Sequence, residues 1–272
     1  MATSQTEKAN RFRALHERCF VIANAWDAGS ARILAGVGFA ALATSSGAAA
    51  GTLGRRDGMI TREESLVHAR TVAEATDLPV SADLEKGFGD SPDAAASTIT
   101  LAGEYGLVGG SIEDATGDPQ KPLFDPGHAT ERIAAAVAAA RKAPFGFVLT
   151  ARAENFIRGN PDLDDTIRRL QAFEAAGADV LMAPGLPDLA AVRTVCSSLS
   201  KPFNFMAGIP GKSFSVAELA AGGVKRISLA TSLYCAAMSG LLAAAREVKE
   251  RGTLGYIDTS VPTPELNRFM QG

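Results

Sequence analysis

Three carboxylates, Asp83, Glu85 and Glu113, stand at or just beyond the ends of two successive short apolar runs, and Arg152 stands just beyond the next. Acids gathered side by side repel one another unless a cation neutralises them. Oxygen donors with no His or Cys among them favour a hard, water-rich ion, Mg2+ or Mn2+, over zinc. Arg152, arriving from the next run, has the forked donor geometry that suits a substrate carboxylate. A divalent ion and a guanidinium together can stabilise negative charge growing on an enolate oxygen. Upstream, Thr44-Ser45-Ser46-Gly47 offers small hydroxyls and free backbone N–H groups that suit a second carboxylate contact. Taken singly, each acid also fits a solvated loop or a helix cap, Arg152 fits a structural pair with Glu154, and Asp114 fits a loop cap. Three acids facing one arginine fit a cation site better.

These residues need elements that deliver them to one place. An alanine-rich helical stretch ending at glycine and followed at once by an apolar run recurs at Ala35-Gly36-Val37-Gly38-Phe39, Tyr105-Gly106-Leu107-Val108, Ala176-Gly177-Ala178-Asp179-Val180 and Gly222-Gly223-Val224-Lys225. Glycine suits the left-handed position just past a helix, and a continuous apolar run suits a strand covered on both faces. The pattern predicts strands near 20–24, 40–44, 79–83, 109–113, 147–151, 179–183, 203–206 and 226–229, each followed by a helix. Eight such units close naturally into a (β/α)8 barrel with an apolar interior and its chemistry at the C-terminal strand ends. A doubly wound sheet is the rival, and no GxGxxG follows the first strand to favour it. No Pro- or Ser-rich linker divides residues 1–272. The reading is one domain, with a leading helix at about 5–18 and an irregular tail at about 252–272.

Bulk properties narrow the function classes. The chain has 272 residues, 46% of them hydrophobic, and a formal net charge of -3 with no basic stripe, which argues against a nucleic-acid partner. Residues 1–10 are polar, and no apolar run approaches the ~20 residues of a membrane span, so a soluble, cytoplasmic protein is expected. Cys19, Cys196 and Cys235 form no CxxC pair and read as reduced, buried thiols. His16 and His68 lie in helical stretches and are expected at the surface. His128 follows Asp125-Pro126-Gly127 and could approach the barrel mouth, while Trp26 reads as packing.

Taken in order, several segments resemble the isocitrate lyase/phosphoenolpyruvate mutase superfamily from about residue 10 to 250. They are Asn24-Ala25-Trp26-Asp27-Ala28-Gly29-Ser30-Ala31-Arg32, Thr44-Ser45-Ser46-Gly47 with Leu53-Gly54-Arg55-Arg56-Asp57, Asp83-Leu84-Glu85-Lys86-Gly87-Phe88-Gly89, Ile112-Glu113-Asp114 and Thr150-Ala151-Arg152-Ala153-Glu154. The resemblance implies a Mg2+-dependent barrel, usually a tetramer or dimer of dimers with an exchanged C-terminal helix. It implies Asp83 as direct metal ligand and Glu85 and Glu113 as ligands through water. Ser45, Ser46 and Gly47 would hold the substrate carboxylate, Asp57 would lie on the metal-facing loop, and Arg152 would contact substrate. Arg152, Asp57 and Glu113 are the catalytic candidates, and Asn204 joins the substrate-binding set.

Departures from the family pattern bear on the reaction. The Lys-Cys-Gly-His gating loop of isocitrate and methylisocitrate lyases is replaced by Asp114-Ala115-Thr116-Gly117-Asp118-Pro119-Gln120-Lys121-Pro122, and the sixth strand ends Leu181-Met182-Ala183-Pro184-Gly185 without the histidine of phosphonate enzymes. Glu85 stands where aspartate is commonest. The expectation is a carbon–carbon lyase acting through an enolate on a small 2-oxo or 2-hydroxy acid, of the oxaloacetate decarboxylase or methylisocitrate lyase kind. Carbon–phosphorus chemistry on phosphonopyruvate or phosphoenolpyruvate is the alternative, and a non-catalytic barrel that binds a 2-oxo acid is a third. Asp57, Glu154 and His128 are the candidate bases for a retro-aldol step.

Overall fold

Gly38, Gly106, Gly177 and Gly223 all take the left-handed conformation, with φ of 104°, 86°, 100° and 96°, so each of the four expected helix-to-strand junctions turns as the sequence requires. The computed structural model describes residues 3–212 and 214–270. Its strands are β1 (Phe20–Asn24), β2 (Leu42–Ala43), β3 (Val80–Asp83), β4 (Gly109–Glu113), β5 (Val148–Arg152), β6 (Val180–Met182), β7 (Phe203–Met206) and β8 (Arg226–Ser228). All pairings are parallel and β8 returns to β1, closing the barrel. Each expected strand is present, the second trimmed to two residues, and β5 runs one residue further so that it ends on Arg152 itself.

The helices are α1 (Gln5–Leu15), α2 (Ala28–Val37), α3 (Ser46–Thr52), α4 (Arg62–Glu74), α5 (Pro92–Glu104), α6 (Pro126–Lys142), α7 (Leu163–Ala175), α8 (Leu189–Ser197), α9 (Val216–Ala221), α10 (Ser232–Arg246) and α11 (Thr263–Phe269). Side-chain caps fix where many of them start, among them Asp27 for α2, Ser45 for α3 and Thr61 for α4, each accepting from a first-turn N–H. No helix among the described residues is long and apolar enough to cross a membrane.

Alternation along the strands divides the molecule into layers. Ala23, Ala82, Ile112, Leu149, Ala151, Leu181, Phe205 and Ile227 point outward into one buried layer under the helices. The inward positions form three tiers. At the bottom Ile22, Ala43, Val148 and Val180 close around Phe12 of α1, which plugs the barrel. Gly109 makes this possible, because a Cβ there would lie 2.8 Å from the Phe12 ring. Above the plug the expectation of an apolar interior fails: Asn24, Ser81, Ser111, Thr150, Asn204, Arg226 and Ser228 are buried polar residues. Asp83, Glu113 and Arg152, two residues further along their strands, form the top tier.

The plug also corrects the reading of His16. It is buried, lies four residues from Phe12 on the inward face of α1, and packs edge-on against Phe12 and Phe20 at 5.1 Å. His68 likewise faces inward, its Nε2 lying 2.8 Å from the Trp26 carbonyl. Trp26 packs against Tyr234. None of the three free cysteines is fully buried, and Cys235 is exposed because α10 buries no residue at all. The tail is less irregular than expected, since a 3-10 turn at Gly255–Thr259 precedes α11. Pro262 and Pro264 sit at the start of that helix, where a missing N–H costs nothing. Phe269 of α11 rests on Gly36 of α2, where a Cβ would fall 2.4 Å from the ring.

Candidate active site

The C-terminal ends of the strands open into one cavity of about 1130 Å3, and Ser45, Ser46, Asp57, Asp83, Glu85, Glu113, Arg152 and Asn204 all line it. Register explains the gathering: Glu113 lies level with Arg152, and Asp83 level with Ser111 one pleat below Glu113. Gly47 is set behind the wall, where a Cβ would come 3.3 Å from the Asp57 carboxylate and from the Thr231 hydroxyl. Ser45 is bonded to that same hydroxyl at 2.9 Å, and the Ser46 N–H donates to Asp83 Oδ2 at 3.3 Å.

Arg152 does not face the acids from a distance. Its Nη1 donates to Asp83 Oδ1 at 2.9 Å, its Nη2 meets Glu113 Oε2 at 3.1 Å and Glu154 Oε1 at 2.9 Å, and its Nε donates to Glu154 at 3.0 Å. It thus lies among the acids and also makes the structural pair with Glu154. Arg158, which sequence reasoning missed, adds a second guanidinium on Glu113 Oε1 at 3.1 Å and on Glu154 Oε2 at 3.4 Å. Its signal was the Glu154-to-Arg158 spacing of four, brought to bear by the 3-10 turn Asn155–Ile157.

Three carboxylates, Asp83, Glu113 and Glu154, therefore share two guanidiniums, while Glu85 pairs with neither and Asp57 lines the same cavity. The imbalance shows in their titration. Burial, reinforced by Asp83, Glu113 and Asp57, pushes the Glu85 carboxyl up to about 7. Burial and the neighbouring Glu154 likewise hold Glu113 well above the usual carboxylate range, Arg152 only partly offsetting them. Burial would weaken the Arg152 cation, and the surrounding carboxylates more than restore it. Among the described residues no three acids, histidines or cysteines close on one metal-sized point, since Arg152 stands between Asp83 and Glu113. Glu85 Oε1 is nonetheless buried without a partner among the described residues, an acceptor that a cation would satisfy. An all-oxygen set with one orphaned acceptor fits Mg2+ or Mn2+.

The loops carrying these acids are tied to each other. Glu85 and Phe88 hold left-handed backbone at φ 50° and 58°, which costs a side-chain-bearing residue energy. The Glu113 N–H donates to the Glu85 carbonyl at 3.0 Å. Arg132, fully buried on α6, donates to the carbonyls of Lys86, Gly89 and Glu113 and lies 4.3 Å over the Phe124 ring. Asp114 is no simple loop cap: it accepts from the Glu154 N–H at 2.9 Å and pairs with the buried Arg169 at 3.0 Å.

The loop after β4 folds as a hairpin on the cavity rim, with Ala115 bridged to Leu123 and the Thr116 carbonyl held by Lys86 Nζ at 2.6 Å. Of the three candidate bases only Asp57 lines the cavity. Glu154 is wholly buried, and His128 is turned away to the Asp90 carbonyl at 2.8 Å. Asn204 sits one tier lower than a mouth residue, its amide engaged by Arg226 and Ser228 at 2.8 and 3.1 Å.

Known proteins share this framework. A Burkholderia cenocepacia J2315 protein solved as a candidate lyase/mutase superposes with a TM-score of 0.96 at 49% identity, over 98% of this chain and 97% of that one. The 2-methylisocitrate lyase of Escherichia coli (strain K12) is 31% identical over 211 residues, covering 74% of this chain and 70% of the lyase. The oxaloacetate decarboxylase of Marinomonas sp. (strain MWYL1) is 28% identical over 282 residues, covering 98% and 96%. Residues 12–249 match the phosphoenolpyruvate phosphomutase family, and with the closed barrel and its acid-lined mouth they make this chain a member of the isocitrate lyase/phosphoenolpyruvate mutase superfamily.

Proposed function

We propose that this protein is a Mg2+-dependent carbon–carbon lyase that acts through an enolate on a small 2-oxo or 2-hydroxy di- or tricarboxylic acid, with oxaloacetate decarboxylation the best fit. The observation that carries this reading is the excess of acids at the mouth, where three carboxylates share two guanidiniums and a fourth, Glu85, pairs with neither. A dianionic substrate meeting those acids directly would be repelled by about 4 kcal/mol for each close pair at an effective dielectric of 20. A divalent cation between acids and substrate reverses that sign. Asp83, Glu85 and Glu113 would hold it, Asp83 directly and the two glutamates through water. When bound, the ion would supply the positive charge that lowers the cost of an enolate oxygen.

The chain's own groups have the remaining tasks. Ser45 and the backbone N–H groups of Ser46 and Gly47 would orient the substrate carboxylate. Arg152, kept charged by its acids, would turn part of its fork toward the substrate, and Glu113 and Glu154 would hold the rest of it in place. Loss of CO2 requires no side chain to take a hydroxyl proton, which suits a mouth that only the exposed Asp57 of the three named candidate bases lines. Retro-aldol cleavage of a methylisocitrate-like acid would place that proton on Asp57. The phosphomutase family match favours a second reading, carbon–phosphorus chemistry on phosphonopyruvate or phosphoenolpyruvate.

Incubating oxaloacetate, methylisocitrate and phosphonopyruvate side by side with enzyme and Mg2+, and following both pyruvate release and phosphoenolpyruvate formation, tests these readings. Mg2+-dependent pyruvate from oxaloacetate, well above the rate with Mg2+ and no enzyme, is the expected result. Turnover of phosphonopyruvate alone would replace the lyase reading by the second one.

A further inference from the structure

Beneath the acid mouth lies a cation with no acid. Arg226 opens β8, is 5% exposed and points into the barrel lumen, where the cavity that begins at the mouth reaches it. All its partners are neutral: Nε donates to Asn204 Oδ1 at 2.8 Å, Nη2 to Thr150 Oγ1 at 2.8 Å, and Nη1 lies 3.5 Å from His16 Nε2. The His16 Nδ1–H is directed to the Phe12 carbonyl at 2.9 Å, which leaves Nε2 as the acceptor and the imidazole uncharged. A guanidinium carries five N–H donors, and these contacts use three.

The acids that might have served are engaged elsewhere. Asp179, which lines a surface pocket together with His16, is held by Arg141 at 2.9 Å and Arg13 at 3.3 Å and accepts from the Leu149 N–H. The mouth acids surround Arg152 and Arg158. Burial pulls Arg226 down to about 9, which still leaves it charged at neutral pH. A buried charge without a counter-charge is expensive, and one reached by a cavity can be relieved by a mobile ion. The hydroxyls of Ser81, Ser111 and Ser228 line the same cavity and could complete a hydrogen-bonding shell.

We propose that the lumen tier around Arg226 is an anion site, separate from the acid mouth above it, that takes a small monoanion of the size of a halide or formate. The Arg226 fork and its neighbouring hydroxyls bind the ion, and Thr150 and Asn204 hold the fork in place. Bromide and formate distinguish an inorganic occupant from a carboxylate one.

The test follows thermal unfolding of the whole protein, Mg2+-free, at constant ionic strength with isethionate, a bulkier anion, replaced stepwise by bromide or by formate. The unfolding constant should fall saturably, about tenfold at ten times Kd. R226M should lose the response, and bromide-soaked crystals should show anomalous density at the guanidinium. If neither anion stabilises beyond isethionate, if R226M responds like the unmodified protein, or if bromide lies only at the mouth, the proposal is overturned. Should R226M not fold, the bromide map of the unmodified protein decides alone.

Discussion

The mouth and the tier beneath it are built by the same strands at positions two residues apart: Ser81 and Asp83, Ser111 and Glu113, Thr150 and Arg152. Only about 6.6 Å of strand separates the tiers, yet their electrostatic problems are opposite. Above, carboxylates outnumber guanidiniums, Glu85 keeps an acceptor without a donor, and acids are forced toward protonation. Below, among the described residues, a guanidinium meets an amide, a hydroxyl, an imidazole and the Phe12 ring, all of them neutral. The tiers do not neutralise each other, because Arg152 already occupies the acids nearest the boundary. A buried tier with a charge of one sign to spare is a tier whose ligand carries the other sign.

Experiments that break this contrast should act on one tier at a time. The largest effect is expected from Asp83→Ala, with Mg2+-dependent turnover falling about 10³-fold or more while circular dichroism and the unfolding midpoint stay close to those of the unmodified protein. Unchanged turnover would remove Asp83 from the metal set.

Glu85→Gln should show the charge excess itself. With its carboxyl raised from 4.5 to about 7, Glu85 binds a proton more readily folded than unfolded. Its favourable contribution is therefore complete below pH 4.5 and lost as pH rises through 7. Metal-free E85Q should gain stability at pH 8 and little at pH 5, and its Mg2+ affinity by calorimetry should drop roughly 10- to 100-fold. Equal stability at both pH values would mean that the repulsion is already screened.

The lower tier has its own pH signature. Burial and then Arg226 push His16 from 6.5 down to about 3, so the unfolded chain takes up a proton across this interval while the folded one does not. Stability should fall as pH drops from 6.5 toward 3, by up to ~1.4 kcal/mol per pH unit from this group. Urea midpoints of His16→Gln should have that part of the slope removed.

The smallest effect concerns the rim. Mg2+ with oxalate should slow proteolysis within residues 115–124 severalfold if that hairpin closes over bound substrate, and indifference to both additives would argue against closure.

Much of this architecture is legible in the sequence. Glycine at helix ends and apolar runs after them located eight strands, because both signals are local. Asp83, Glu113 and Arg152 converge because strand ends in a closed parallel barrel share one face. The lumen was missed although its signal was present: Ser81/Asp83, Ser111/Glu113 and Thr150/Arg152 alternate polar with apolar at a period of two, which marks an inward polar face. A general rule about apolar barrel interiors overrode the local pattern. His16 was assigned to the surface because helical periodicity does not say which face of α1 meets the barrel, and only the placement of Phe12 decides that. Arg158 depends on a short turn whose course no repeating pattern encodes.

Arg132 gives the acid loops a mechanical property. By gripping carbonyls from both, it ties the segment after β3 and the end of β4 into a single stiff jaw. Mg2+ demands oxygen distances of about 2.0–2.1 Å, whereas Ca2+ settles at about 2.3–2.6 Å in a pliable shell. A jaw that cannot widen sorts ions by radius, so the guanidinium of a residue outside the cavity would set which element of the periodic table the enzyme can use.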